Sequence, residues 1–116
     1  MIGDDAFDAA LSYIASHTRR IEIHTGTPNG KTVSGSLGYA TKFRFSAPQP
    51  CESGRKITVT NIEDGTVTRE GVPAYWSMTD GSRVLASGAI TNSQKVVPGI
   101  GFRLPPLECE LERETD

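Results

Sequence analysis

The sequence predicts one small, mainly β domain of antiparallel strands preceded by a single helix, and three observations lead there. Apolar residues alternate along residues 55–90, at Ile57 and Val59 and again at Ala74, Trp76 and Met78, the period-two signature of half-buried strands. Asp64-Gly65 and Asp80-Gly81 punctuate those runs, and Asp-Gly pairs suit tight hairpins because both residues accept positive φ. Residues 4–17 alone carry a convincing helical spacing. The expectation for residues 55–90 is therefore an antiparallel meander of four short strands.

At 116 residues the chain is long enough for one hydrophobic core without metals or disulfides, so a single domain over 1–116 is expected. Its 12 basic residues are scattered and nearly balanced by 14 acidic ones, which argues against a nucleic-acid partner. No apolar run approaches the roughly 18–20 residues that span a bilayer, and the opening MIGDDAFDAA is acidic where a signal peptide is basic and then apolar. No membrane partner and synthesis in a cytoplasm follow as expectations. Cys51 and Cys109, the only two cysteines, are then expected to be reduced thiols.

Within residues 4–17, Phe7, Leu11 and Ile14 fall on one stripe, which a sheet or a neighbouring subunit must cover because about 14 residues of helix are marginal alone. Asp4 and Asp5 stand at the start and Arg19 and Arg20 just past the end, complementing the helix dipole and offering carboxylates to free amides. Residues 20–24 read as a strand, with Ile21 and Ile23 on one face. Residues 25–38 read as a long exposed loop, rich in Gly, Ser and Thr, ordered only against a partner. Residues 39–47 give a strand with Phe43 and Phe45 in step, and 48–54 a loop, since Pro48 and Pro50 cannot donate to a ladder. Short strands are expected at 95–97 and 102–104. The last strand runs over 107–111 with Leu107, Cys109 and Leu111 inward, so that Cys109 acts as a small buried hydrophobe. The expected core is Phe7, Leu11, Ile14, Ile21, Ile23, Phe43, Phe45, Ile57, Val59, Trp76, Met78, Leu85, Phe102, Leu107 and Leu111.

A search for chemistry is negative. Gly26, Gly30, Lys31 and Thr32 imitate a phosphate-binding loop, but three residues rather than four separate the glycines and no helix follows. His17 and His24 read as ordinary surface histidines, and no cluster has metal-ligand spacing. No G-x-S-x-G elbow occurs. Trp76 sits between apolar neighbours at i±2 and reads as core rather than as a ligand platform. No catalytic, cofactor-binding or metal-ligating residue is assigned.

Taken in order, LSYIASHTRRIEIHTGTP, YATKFRF, the run GRKITVTNIEDGTVTREGVPAYWSMTDGSRVLASGAI and the closing FRLPPLECEL resemble small structural proteins of tailed bacteriophages and gene transfer agents. In those proteins a meander ends in W-x-x-x-D-x-S-x-x-L-L-x-x-G, matched here by Trp76, Asp80, Ser82, Leu85 and Gly88, with Val84 in place of a second leucine. The resemblance spans nearly the whole chain as strand pattern and turns. It implies an antiparallel β-sandwich, jelly-roll-like or immunoglobulin-like, and a virion component: capsid decoration or head-spike base, or alternatively a tail fibre or a module binding a receptor or glycan. A small hydrolase is a third, weaker reading. The partners expected are other virion proteins and further copies of this chain. Contact regions expected are Met1, Ile2 and Phe7 at the N-terminus, Pro28, Asn29, Lys31 and Leu37 in the long loop, and Glu63, Asp64, Asp80 and Ser82 at the hairpin tips.

Overall fold

The computed structural model describes residues 3–25, 36–52, 54–91 and 94–112. In chain order these form α1 (Asp4–His17), β1 (Arg20–His24), β2 (Ser36–Ala40), β3 (Arg44–Phe45), β4 (Gln49–Cys51), β5 (Gly54–Thr60), β6 (Ile62–Val67), β7 (Tyr75–Thr79), β8 (Val84–Ala89), β9 (Phe102–Leu104) and β10 (Leu107–Glu112). Six strands make one antiparallel sheet in the order β8-β7-β1-β2-β6-β9, and a second contains β10-β5-β3 with β4 also paired to β5. The fold is mainly β with one N-terminal helix, two antiparallel sheets packed together as a sandwich.

The apolar residues close one core: Ile21, Ile23, Trp76, Met78 and Phe102 from the larger sheet meet Ile57, Val59, Leu107 and Cys109 from the smaller, with Leu11 from the helix. Ten of the fifteen expected core residues are buried, while Ile14, Phe43, Phe45, Leu85 and Leu111 are half-buried. Leu37, Ala40, Ile62 and Val67 join the core unforeseen.

The helix lies on β5 and β10, which answers the choice between sheet and subunit in favour of the sheet. Arg55 Nε and Nη2 fork onto Asp8 Oδ1 and Oδ2 at 2.7 and 3.0 Å, a bidentate geometry that fixes the angle of the helix on β5. Its first turn is closed by the Gly3 carbonyl, which accepts from the amides of Ala6 and Phe7, and no side chain caps it. Asp4 and Asp5 therefore complement the dipole without serving as the N-cap. At the other end the Thr18 hydroxyl donates to the Ile14 carbonyl at 2.6 Å. The Arg19 amide then bonds the Thr79 carbonyl and starts β1 beside β7.

The meander expected over residues 55–90 does not form. β5 pairs with β10, β3 and β4, whereas β6 lies in the other sheet between β2 and β9. The chain crosses between sheets at Asn61, whose φ of 58° makes a one-residue corner of the kind Asn tolerates. Asp64-Gly65 consequently sits inside β6. Asp64 is left-handed at φ 55°, the register slips between Ile62 and Gly65, and the Phe102 ring packs where a side chain at Gly65 would stand. The dipeptide encodes a bulge that seats an aromatic ring rather than a hairpin. Only β7 and β8 form the expected hairpin.

Three further expectations change. Residues 36–38 belong to β2, paired with β1, so the long loop ends earlier than its composition suggests. Residues 49–51 pair with β5 despite Pro50, because an edge strand can turn its missing amide outward. Residues 95–97 contribute a single bridge, Gly71 to Val96.

Candidate functional site

Strand register decides where the expected contact residues fall. Arg20 pairs with Thr79 and Ile21 with Ala40, and Tyr39 pairs with Thr66. The residues just after Thr79 and just before Thr66 therefore emerge at the same end of the larger sheet. This brings Asp80 and Ser82 to the end that carries Glu63 and Asp64, and Ser82, Glu63 and Asp64 are exposed there. Lys42 approaches Asp64 at 3.7 Å, but both are more than three-quarters exposed, so the pair contributes little in water.

Two expected contacts are corrected. Phe7 is 6% and Leu37 0% exposed; the first lies on the buried stripe of α1 and the second in β2, so neither presents its side chain at the surface. Met1, Ile2, Pro28, Asn29 and Lys31 lie outside the described residues.

The β7–β8 tip is a built turn. Asp80 Oδ1 accepts from the Ser82 amide at 2.9 Å, the Arg83 amide at 2.8 Å and the Ser82 hydroxyl at 3.2 Å. These donors, the Ser82 amide first, hold the Asp80 carboxyl below its ordinary range. Trp76, Asp80, Ser82, Leu85 and Gly88 are thus the parts of one hairpin.

A groove of about 580 Å³ lies between Ile23 and the segment leading into β9. Its walls are mainly apolar, with Pro73, Ile90, Val96, Val97, Ile100 and Phe102, and Lys95 and Arg103 border it. Ile100 is 65% exposed, unusual for a large apolar side chain beside other apolar surface. Lys95 also reaches Glu70 at 3.0 Å. This groove was not anticipated. Its signal was the run VVPGIGF, which is apolar without strand or helix period and broken by Pro98-Gly99.

Sequence reading also missed a buried polar cluster on β1 and β7. Alternation puts Ile21 and Ile23 on one face and Glu22 and His24 on the other, yet all four are buried. Glu22 accepts from the Ser36 hydroxyl at 3.0 Å and the Thr79 hydroxyl at 3.4 Å, and His24 Nε2 meets Ser77 Oγ at 2.7 Å. His24 is therefore not a surface histidine; it is fully enclosed. A Ser–His contact at this distance has the geometry of a nucleophile and its base. Here both partners are 0% exposed and the Glu22 oxygens bond hydroxyls, so no substrate reaches the pair as it stands. Its direct consequence is to satisfy polar groups inside the fold.

Elsewhere, burial raises the Cys109 thiol and Glu110 adds to it, which suits an inert side chain. On the outer face of β10, Lys56 lies 2.8 Å from Glu108, lowering the carboxyl and raising the ammonium. Among the described residues no group of His, Cys, Asp and Glu could hold a metal ion, and no helix is long and apolar enough to cross a membrane. No protein-family model matches the chain, and no curated protein or solved structure is significantly similar to it.

Proposed function

We propose that this chain is a structural component of a tailed-phage or phage-like particle, docked on the capsid exterior as a decoration or head-spike base. The observation that carries the docking part is the open groove: apolar walls, an exposed Ile100 and the bordering cations Lys95 and Arg103 suit an apolar, acidic surface of a neighbouring subunit. The virion part rests on the order of elements that resembles phage structural proteins. Repeated copies on a symmetric shell let a modest contact hold each one, since linked weak contacts multiply.

The test is to purify the particles that carry this protein and reconstruct heads, necks and tails. Density for the sandwich on the head surface, with the Ile100 groove facing a shell subunit, is the expected result. Density on the tail selects the fibre or receptor-binding alternative. Absence from all three removes the virion reading.

A further inference from the structure

Strand edges differ sharply in how they are defended. The outer strand β10 carries Glu108, Glu110 and Glu112, and β9 has three residues including Arg103 and runs into Pro105-Pro106. The edge made by β3 and β4 is broken into two and three residues, with Arg44 and Pro50 on it. Charges, prolines and shortness are the usual means by which a sheet edge avoids pairing with another chain. β8 has none of them. It is six residues long, reads VLASGA without a charge or proline, and pairs only with β7 among the described residues. A register shift at Met78/Thr79 disturbs its first residues, but the pairs from Ala86 to Ala89 are regular. Ser87 and Ala89 are exposed.

We infer that β8 is the self-association edge of this protein, where two copies join through antiparallel β8–β8 pairing into one continuous sheet. Among the described residues only β7 pairs with β8, and the amides and carbonyls along its other side match an extended backbone as partner. A second copy fits because the strand is neutral, so it meets no like charge when laid against itself. With residue 87 opposite itself, Arg83 of one copy falls beside the uncharged Thr91 of the other. Small side chains at Ala86, Gly88 and Ala89 let the backbones approach. Such a two-fold contact is self-complementary and closes at a dimer instead of propagating. The inference stands on the isolated protein and does not depend on the virion reading, so either can fail without the other.

Sedimentation velocity across a concentration series tests it. The expected result is a reversible dimer that Ser87→Lys weakens at least tenfold, because the two copies of residue 87 then bring like charges to the junction. A Glu110→Lys control on β10 is expected to leave the dimer intact. A wild-type protein that stays monomeric throughout, or a dimer that Ser87→Lys does not weaken, overturns the proposal. Should Ser87→Lys not fold, amide hydrogen exchange of the wild type at low and high concentration decides. Protection gained over residues 84–89 supports the β8 contact; protection gained elsewhere or nowhere overturns it.

Discussion

Trp76 and Gly88 face each other directly across the β7–β8 ladder, and the indole occupies the space where a side chain at 88 would begin. A Cβ added there would lie 2.6 Å from Trp76 Cζ2 and 2.8 Å from Nε1. The ring is 6% exposed and joins the core, so it has little room to retreat. Gly88→Ala is therefore expected to destabilise by about 1–3 kcal/mol, as overpacking does. Trp76→Ala, which empties the same site, is expected to cost about 3–5 kcal/mol. Denaturant unfolding checks both, followed by Trp76 fluorescence in the first and by circular dichroism in the second. An unchanged midpoint for either contradicts the packing described.

The hairpin tip makes a prediction about acid. Hydrogen bonds from the Ser82 and Arg83 amides favour ionised Asp80 and depress its folded-state pKa below the ordinary 3.8. A depressed carboxyl contributes stability that is present above the unfolded value and lost as pH falls through the folded one. Asp80→Ala is thus expected to be less stable than wild type near neutrality, with the gap closing below about pH 4. Thermal melts of both proteins at pH 3 to 7 read this out. A gap that stays constant to the lowest pH means the charge on Asp80 is not what holds the turn.

These two sites show what the sequence made legible. The pattern Trp76, Asp80, Ser82, Leu85, Gly88 is a local code: a ring, its glycine seat and a side-chain-capped turn all lie within one hairpin. Local codes were read correctly at α1, β1, β9 and β10 too, because period and turn chemistry fix them. Sheet membership was not legible. Asn61 turns β5 out of one sheet and β6 into the other, and Asp64-Gly65 becomes a bulge because the Phe102 ring, distant in sequence, needs that space. The polar cluster was hidden for the same reason: His24 and Ser77 are 53 positions apart and meet only through the β1–β7 register. The groove escaped notice because its walls come from irregular segments, which carry no period.

Cysteine reactivity separates the inside of β10 from the edge made by β4. Both thiols are free; Cys109 is buried and Cys51 half-buried. Burial raises the Cys109 thiol above its ordinary value, and only the thiolate alkylates. Iodoacetamide on the native protein is expected to modify Cys51 first, with Cys109 reacting only after denaturant is added. Mass spectrometry of timed digests checks the order, and equal rates would place Cys109 at the surface, against the inward register of Leu107, Cys109 and Leu111.

The last prediction concerns Ser77 and His24, whose 2.7 Å contact invites a catalytic reading. Enclosure argues otherwise. A serine nucleophile must reach a substrate carbonyl, and an oxyanion site must lie within about 3 Å of the reacting atom, whereas Ser77, in the middle of β7, and His24, at the end of β1, are both 0% exposed. A buried hydroxyl in such a place acts through the hydrogen bond it satisfies, and removing it costs about 1–3 kcal/mol. Ser77→Ala is accordingly expected to lower the unfolding midpoint by that amount. The native wild-type protein is expected to take up no fluorophosphonate, since the probe needs an activated serine it can touch. Stoichiometric labelling of native Ser77, read by intact mass and abolished in Ser77→Ala, would show that the β1–β7 layer opens and would put a hydrolase in place of the docking role.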